Sequence, residues 1–210
     1  MAEARRLRIL LVGASGTIGR AVAAELRTRH DVVAAGRKSG DVHIDIDDPA
    51  SIVAGLRQAG PIDAVACASG NTDFRPLGMI EPASVTQSVY ALGLASKLMG
   101  QVNLALAARE TLRDGGSITL VSGVLSEVPI VAGSSASMVN AAVEAFARAA
   151  AIELPRGLRI NVVSPTVLTE SMPAFGPFFR GFEPVPAARV ALAYSRSIEG
   201  AQTGQVYRVV

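Results

Sequence analysis

The sequence predicts an α/β fold, in which a doubly wound parallel sheet of about seven strands carries helices on both faces. Two observations predict it. Short apolar runs alternate with helical patterns along the whole chain of 210 residues. Half of the residues are hydrophobic, which is enough for one sizeable core, and no linker, repeat or low-complexity segment interrupts the pattern. We therefore expect a single domain over residues 1–210.

The first strand and helix are joined by a glycine-rich turn. Leu7–Val12 (LRILLV) has no polar residue after Arg8, as expected for a strand buried on both faces. Glycines in the turn permit a tight bend and leave the amides of the helix N-terminus open to a pyrophosphate. The spacing G-x-x-G-x-x-G differs from the usual dinucleotide G-x-G-x-x-G, so a plain tight turn is the alternative, but the flanking strand and helix favour phosphate binding. The predicted contacts are Gly13, Ser15, Gly16, Thr17, Ile18 and Gly19.

The second strand, Asp31–Ala35, leads to a basic turn containing Arg37, Lys38 and Ser39. In dinucleotide folds an acid just past this strand binds the 2′-hydroxyl of NAD, whereas an arginine accommodates the 2′-phosphate of NADP. This turn carries no acid, and arginine can bind phosphate with two parallel hydrogen bonds. An ordinary basic turn is the alternative. We predict that NADP(H) is preferred over NAD(H).

The next two strands complete the predicted nucleotide site. Val42–Ile46 is predicted as the third strand, and Asp45 within it could contact the adenine amino group. Ile62–Ala68 is predicted as the fourth strand and is followed by Ser69 and Gly70. Ligands in such sheets lie where strand ends meet glycine-rich turns. Both residues are therefore predicted to contact the cofactor.

The second half of the chain continues the alternation. The predicted elements are a helix at Glu81–Leu112, a strand at Ser117–Val121, a helix at Ser134–Leu154, a strand at Leu158–Val163, a helix at Pro186–Ile198 and a strand at Gly204–Val209. The first of these helices is expected to be interrupted near Gly93. The small-residue faces of the two long helices favour a homodimer or homotetramer, although packing within one chain explains part of that pattern.

A loop over residues 170–184 contains four phenylalanines among proline and glycine. It is predicted to be a substrate lid, with misplaced core residues as the alternative.

Composition excludes several classes of function. The net charge is +2 with acids and bases interspersed, which predicts no nucleic-acid partner. No apolar run has the length of a membrane span, and the N-terminal run is too short for a signal peptide. One cysteine and two histidines predict neither an internal disulfide nor a metal site. We expect a cytoplasmic protein whose partner is a small-molecule substrate.

Several separated motifs resemble the short-chain dehydrogenase/reductase family over essentially the whole chain. They are VGASGTIG, GR after the second strand, ASG after the fourth, SITLVSG, the block from Asn140 to Thr166, and TGQVY. The resemblance implies a Rossmann-type fold, NADP(H) binding and hydride transfer between the cofactor and a carbonyl–alcohol pair. It also implies cofactor contacts at Asn140, Pro165 and Thr166.

The residues that transfer protons in this family are missing. Members use a tyrosine as proton donor, a lysine four residues later, and a serine after the fifth strand. Aligning on AAVEAF places these three positions at Ala136, Asn140 and Gly123. Shifting the alignment by two residues puts Ser134 and Met138 in the tyrosine and lysine positions instead, and neither alignment restores the pair.

The positions of the lysines also exclude the tyrosine–lysine pair, without any alignment. The chain has only two lysines, Lys38 and Lys97, and the residues four positions before them are Ala34 and Gly93. A Tyr-x-x-x-Lys pair therefore does not exist anywhere in the sequence.

Few side chains could replace the missing donors. Lys97 could serve as a proton donor if burial lowered its pKa, and a surface lysine is the alternative. Ser122 could hydrogen-bond a substrate oxygen, or be a turn residue at a strand end. The predicted substrate contacts are Ser134, Ser135, Phe175 and Phe178.

These observations favour an NADP(H)-dependent oxidoreductase that acts on a small carbonyl, alcohol or activated alkene with a non-standard proton donor. Losing a positioned general acid costs about 10²–10⁴-fold in rate, so two alternatives stay open. One is an NADP(H)-binding protein without redox catalysis. The other is a non-redox isomerase or lyase that uses the same pocket.

Overall fold

The computed structural model describes residues 5–210, in which seven strands form one sheet. The strands are β1 (Arg8–Val12), β2 (Asp31–Gly36), β3 (Val42–His43), β4 (Ile62–Cys67), β5 (Leu112–Val121), β6 (Arg159–Pro165) and β7 (Val206–Val209). Their order is β3-β2-β1-β4-β5-β6-β7, and every neighbouring pair is parallel. The predicted doubly wound sheet is confirmed.

Helices cover both faces of the sheet. They are α1 (Thr17–Arg27), α2 (Pro49–Ala59), α3 (Gln101–Thr111), α4 (Ser134–Ala150), a short α5 (Met172–Phe175) and α6 (Ala187–Glu199). Side chains alternate along β1, so Leu10 packs in the core beneath α2, α3 and α4, whereas Ile9 and Leu11 pack in the core beneath α1 and α6. Both cores are therefore fixed by the apolar runs of the strands. No helix within residues 5–210 has the length and apolar character needed to cross a bilayer.

The strand order reverses direction at β1. The chain runs outward from β1 to β2 and β3, and then returns to place β4 on the other side of β1. The carboxyl ends of strands on the two sides of such a reversal diverge and leave a crevice that commonly binds ligands. The glycine-rich turn after β1 lies at this crevice.

The predicted third strand is too long. Only Val42 and His43 pair with β2, and the chain then leaves the sheet. Its next residues turn because the Asp45 amide donates to the Ser51 hydroxyl at 2.9 Å and the Asp45 carboxylate accepts from the Asp47 amide at 3.1 Å. Such local side-chain bonds compete with strand pairing.

The helix predicted from Glu81 begins later in the structure. Residues 81–90 form turns, in which the Ser88 hydroxyl accepts from the Tyr90 amide at 3.2 Å, and helical structure begins at Ala91. A π-helical stretch, Gly93–Gly100, then leads into α3. The interruption predicted near Gly93 is thus a change of helical geometry. Isolated π-helical turns are frequent at functional sites.

Candidate functional site

A cleft of about 280 Å³ lies at the carboxyl ends of β1, β2 and β4. Seven of the predicted cofactor residues line it: Gly13, Ser15, Gly16, Arg37, Asp45, Ser69 and Gly70. Its lining also includes residues that the sequence did not single out, among them Gly36, Ile44, Asp47 and Asn71. Asn71 follows Gly70 directly, so its position after a strand was a signal that could have been used.

The three glycines of the turn have different structural roles. Gly13 has φ +84°, and a Cβ there would lie 2.8 Å from the carbonyl oxygen of Ala68. A Cβ on Gly19 would overlap the carbonyl of Gly13. A Cβ on Gly16, in contrast, would meet only the carbonyl oxygen of Gly13 among the described residues, at 3.4 Å. Gly16 is the N-cap residue of α1. The fold requires Gly13 and Gly19, whereas Gly16 keeps the cleft side of the helix N-terminus open.

Thr17, Ile18 and Gly19 form the first turn of α1 and do not line the cleft. Gly19 packs on the backbone of the turn, so its contribution to a cofactor site is to the shape of the turn.

Arg37 lies between two carboxylates. Its Nη1 atom is 4.0 Å from a carboxylate oxygen of Asp45 and 4.0 Å from one of Asp47. Lys38 is exposed, and Ser39 lines an adjoining cleft beside Arg20 and Arg27. The basic turn predicted after β2 is therefore balanced by acids that come from the segment after β3.

Lys97 is partly buried in the π-helical stretch and borders the cleft. A Cβ built on Gly70 would lie 3.0 Å from Lys97 Cδ, so the aliphatic part of the lysine covers this glycine. Burial lowers the pKa of Lys97 to about 8, and nearby Cys67 opposes the shift. Burial also raises the pKa of Cys67 to about 11. Among the described residues, no carboxylate forms an ion pair with this ammonium or raises the pKa of Lys97.

Gly123 and Asn140, the positions that the alignment on AAVEAF assigns to the family's serine and lysine, are close together. A Cβ on Gly123 would lie 3.1 Å from Asn140 Nδ2 and 3.6 Å from the carbonyl oxygen of Pro165. Asn140 is 6% exposed, and its Oδ1 atom has no hydrogen-bond partner within residues 5–210. A buried acceptor of this kind is costly unless a ligand or solvent satisfies it.

Pro165 and Thr166, at the end of β6, are buried, and the Thr166 amide donates to the carbonyl of Val209 at 2.9 Å. Pro165 lies close to Asn140 beside Gly123, and neither Pro165 nor Thr166 lines the cleft after β1.

Ala136, the position that the alignment on AAVEAF assigns to the family's tyrosine, is covered by the loop that was predicted to be a lid. Ala136 is 2% exposed and packs in a cluster with Leu125, Val167 and Phe179. The loop folds into short helical turns, which bring Phe179 inward to 7% exposure. No side chain at Ala136 can donate a proton.

Two of the predicted substrate contacts, both phenylalanines of the predicted lid, lie at the surface. Phe175 and Phe178 are 38% and 48% exposed, and the Phe175 ring lies 5.8 Å from that of Phe74.

At the start of α4, the Ser134 hydroxyl lies 3.2 Å from the Tyr90 hydroxyl, and the Ser135 hydroxyl lies 2.9 Å from that of Thr72. Two pairs of hydroxyl groups therefore lie at the start of α4, directly before Ala136 in the chain.

Ser122 is 6% exposed, and its hydroxyl donates to a carboxylate oxygen of Glu144 at 2.8 Å. In this structure its proton is therefore committed to Glu144 rather than directed at a substrate. Within residues 5–210, no group of three or more histidine, cysteine or acidic side chains is arranged to hold a metal ion.

The strand order, the glycine-rich turn and the cleft define an α/β protein of the Rossmann type. A family profile described as enoyl-(acyl carrier protein) reductase matches residues 12–205. The solved structure of the protein lin1944 from Listeria innocua is similar to 97% of this chain and 100% of its own, with 50% identity and a TM-score of 0.92. A small-chain dehydrogenase solved in complex with NADPH matches 98% of this chain and 97% of its own, with 25% identity and a TM-score of 0.83.

An uncharacterized oxidoreductase of Methylorubrum extorquens is 30% identical over 145 residues, which is 66% of this chain. The chain spans 56% of the length of that relative. From these matches, the chain belongs to the short-chain dehydrogenase/reductase family, whose members are oxidoreductases that use nicotinamide cofactors.

Proposed function

We propose that this protein is an NADP(H)-dependent oxidoreductase that reduces a small carbonyl or activated alkene, with Lys97 as the proton donor. The observation that carries the proposal is the position of Lys97, whose aliphatic chain packs against Gly70 at the edge of the candidate nucleotide cleft and whose ammonium has no acidic partner among the described residues. A free ammonium at the edge of a cofactor cleft can stabilise negative charge that develops on a substrate oxygen.

Two features of the chain fit a dinucleotide. The open side of Gly16 at the N-terminus of α1 suits a phosphate group, because free amides and the helix dipole both favour an anion there. The unpartnered Oδ1 of Asn140 suits a hydroxyl or amide donor at the nicotinamide end. Bound NADPH would supply the hydride.

Lys97 would then complete the reduction of a carbonyl. Its ammonium donates a proton to the substrate oxygen, becomes a neutral amine and is reprotonated from solvent. A pKa of about 8 suits this role near neutral pH, since the group is protonated in the resting state and can still release its proton. With an activated alkene, the same ammonium would stabilise the enolate oxygen.

We propose that the cofactor preference is for NADP(H), although Asp45 and Asp47 flank Arg37. The side chain of Arg37 is 57% exposed, so it can rotate towards a 2′-phosphate while the two carboxylates stay beside the ribose. Replacing Arg37 with alanine should weaken NADPH binding by about tenfold or more and NADH binding much less. Equal losses of affinity for NADPH and NADH would show that the 2′-phosphate of the ribose is not bound by Arg37.

The test of the proposed function is a comparison of binding and turnover. NADPH binding is measured by fluorescence, and NADPH oxidation is followed with a panel of carbonyls and activated alkenes. Lys97→Met should abolish turnover while it leaves the dissociation constant of NADPH within about threefold. Lys38→Met, at an exposed lysine, is the matched control and should turn over normally. Turnover by Lys97→Met at the wild-type rate would refute the role of Lys97.

A second candidate is a protein that binds NADP(H) without redox catalysis. The observation that favours it is the closed cluster around Ala136, where Phe179 packs in place of an open substrate pocket. This candidate predicts tight NADPH binding and no NADPH oxidation with any substrate in the panel.

We also propose a homodimer or homotetramer that forms through α3 and α4. Leu92, Met99 and Leu106 are each more than two-fifths exposed and recur at seven-residue intervals along the helical segment that ends in α3. A groove of about 300 Å³ between α3 and α4 adds apolar surface from Phe146. Light scattering should show an oligomer that Leu106→Glu dissociates.

A further inference from the structure

Glu144 is a buried carboxylate that connects three segments beside the candidate site. It is 2% exposed and lies on α4, one helical turn after Asn140. Its Oε1 atom accepts hydrogen bonds from the hydroxyls of Ser122 at 2.8 Å, Ser126 at 2.9 Å and Ser164 at 3.2 Å. Ser122 follows β5, Ser126 lies on the turn after it, and Ser164 lies near the end of β6.

This carboxylate is not held by a close ion pair. The nearest cation is Arg148, whose Nη2 atom is 3.9 Å from Glu144 Oε2 and whose side chain is 53% exposed. A buried carboxylate needs hydrogen-bond donors to offset the loss of hydration. Glu144 therefore holds the three hydroxyls, and the segments that carry them, in one arrangement.

Two residues that directly follow serines bonded to Glu144 lie close to Asn140. Gly123 follows Ser122, and Pro165 follows Ser164. A Cβ on Gly123 would lie 3.1 Å from Asn140 Nδ2 and 3.6 Å from the carbonyl oxygen of Pro165. The bonds to Glu144 thus fix the backbone beside the Asn140 side chain, whose Oδ1 has no hydrogen-bond partner among the described residues.

We propose that Glu144 is a positioning residue for the nicotinamide end of the cofactor. It holds the ends of β5 and β6 against α4, so that Asn140 presents a fixed acceptor to the bound dinucleotide. This inference rests on the proposed cofactor binding. Glu144 would touch neither cofactor nor substrate, and would act on the cofactor site through Gly123, Pro165 and Asn140.

The experiment compares two ligands that share the adenosine end. NADPH carries the nicotinamide half, and adenosine 2′,5′-bisphosphate lacks it. Glu144→Leu removes the acceptor of all three hydroxyls and should raise the dissociation constant of NADPH by about tenfold, with that of adenosine 2′,5′-bisphosphate within about twofold of wild type. Glu144→Gln keeps one acceptor oxygen and should recover most of the NADPH affinity.

Asp63→Asn is the matched control for general loss of stability. Asp63 is also a buried carboxylate, which accepts from the Arg8 amide at 2.7 Å and from Arg113 at 3.0 Å, but it lies near the amino end of β4, away from the strand ends that form the candidate site. This variant should lower the melting temperature and leave both dissociation constants unchanged.

If Glu144→Leu does not fold, the double variant Ser122→Ala, Ser164→Ala decides the question. It should raise the NADPH dissociation constant by about threefold or more without affecting the smaller ligand. Unchanged NADPH affinity in whichever variant folds overturns the role of Glu144. A wild-type protein that binds neither NADPH nor NADH overturns the proposed function instead.

Discussion

The side-chain amide nitrogen of Asn140, Nδ2, lies 3.1 Å from the point that a Cβ on Gly123 would occupy. Under the alignment on AAVEAF, these two positions correspond to the lysine and the serine of the family's active site. The side-chain amide of Asn140 lies in the space that a side chain at position 123 would need. Gly123 has φ 177°, which any residue can adopt, so the limit is space and not backbone strain.

Gly123→Ala should therefore destabilise the protein by about 1 kcal/mol, since the buried asparagine must shift by a few tenths of an ångström. In an Asn140→Ala background the same substitution should cost much less. Urea denaturation of the four proteins of this double-mutant cycle measures the coupling. Additive effects of the two substitutions would show that the residues do not interact.

Gly16→Ala should separate cofactor binding from folding. A Cβ at this position meets only the carbonyl oxygen of Gly13, at 3.4 Å, so the free energy of unfolding should change by less than about 1 kcal/mol. The methyl group would nevertheless occupy space that a phosphate needs at the N-terminus of α1, and NADPH affinity should fall by about tenfold or more. Gly78→Ala, where a Cβ meets nothing within 4 Å and which lies outside the cleft, is the control for calorimetric titration. Wild-type affinity in Gly16→Ala would argue against a phosphate at this turn.

Local patterns predicted most of the fold. The apolar run of β1, the glycine-rich turn and the helical pattern of α1 are each encoded within a few residues, and the structure has all three. The helical pattern failed at residues 81–90, where the Ser88 hydroxyl accepts from the Tyr90 amide and the Ser84 hydroxyl donates to the side-chain oxygen of Gln87. Such local side-chain bonds compete with the helix that the apolar spacing favoured. The strand prediction also failed after His43, since Ile44 and Ile46 are buried but do not belong to a strand.

The candidate site was less predictable, because its contacts join distant segments. The pairing of Arg37 with Asp47 depends on how the chain turns after β3. The hydrogen bond from Ser122 to Glu144 spans 22 residues, and no spacing rule indicates it. Strand ends could be located from the sequence, but the direction of each side chain at those ends could not.

The two adjacent phenylalanines of the predicted lid should respond differently to truncation. Phe179→Ala removes a ring from the cluster with Leu125, Ala136 and Val167, and should cost about 3 kcal/mol or more in the free energy of unfolding. Phe178 is 48% exposed, so Phe178→Ala should stay within about 0.5 kcal/mol of wild type. Thermal and urea denaturation check both values. Equal effects of the two substitutions would mean that the loop does not pack as described.

The pKa of Lys97 can be measured directly, since the chain has only two lysines. Reductive methylation with ¹³C-formaldehyde labels Lys97, Lys38 and the N-terminal amine, and an NMR titration follows each methyl signal. Burial should give Lys97 a pKa of about 8, and the signals that disappear in Lys97→Met and in Lys38→Met assign the two lysines. A single lysine pKa near 10.4 for both residues would remove the physical basis for a proton donor at this position.

The same pKa difference makes stability depend on pH. The folded pKa lies below the unfolded value, so between about pH 8 and pH 10.4 the unfolded chain binds more protons, and the contribution of Lys97 to the free energy of unfolding rises with pH. Below pH 8 the folded protein carries the full cost of a buried ammonium. Lys97→Met should therefore raise stability at pH 7 by on the order of 1–3 kcal/mol and flatten this rise, whereas Lys38→Met should do neither. Urea denaturation at pH 7 and pH 10 compares the variants with wild type, and a wild-type pH dependence in Lys97→Met would show that this ammonium is fully hydrated in the folded protein.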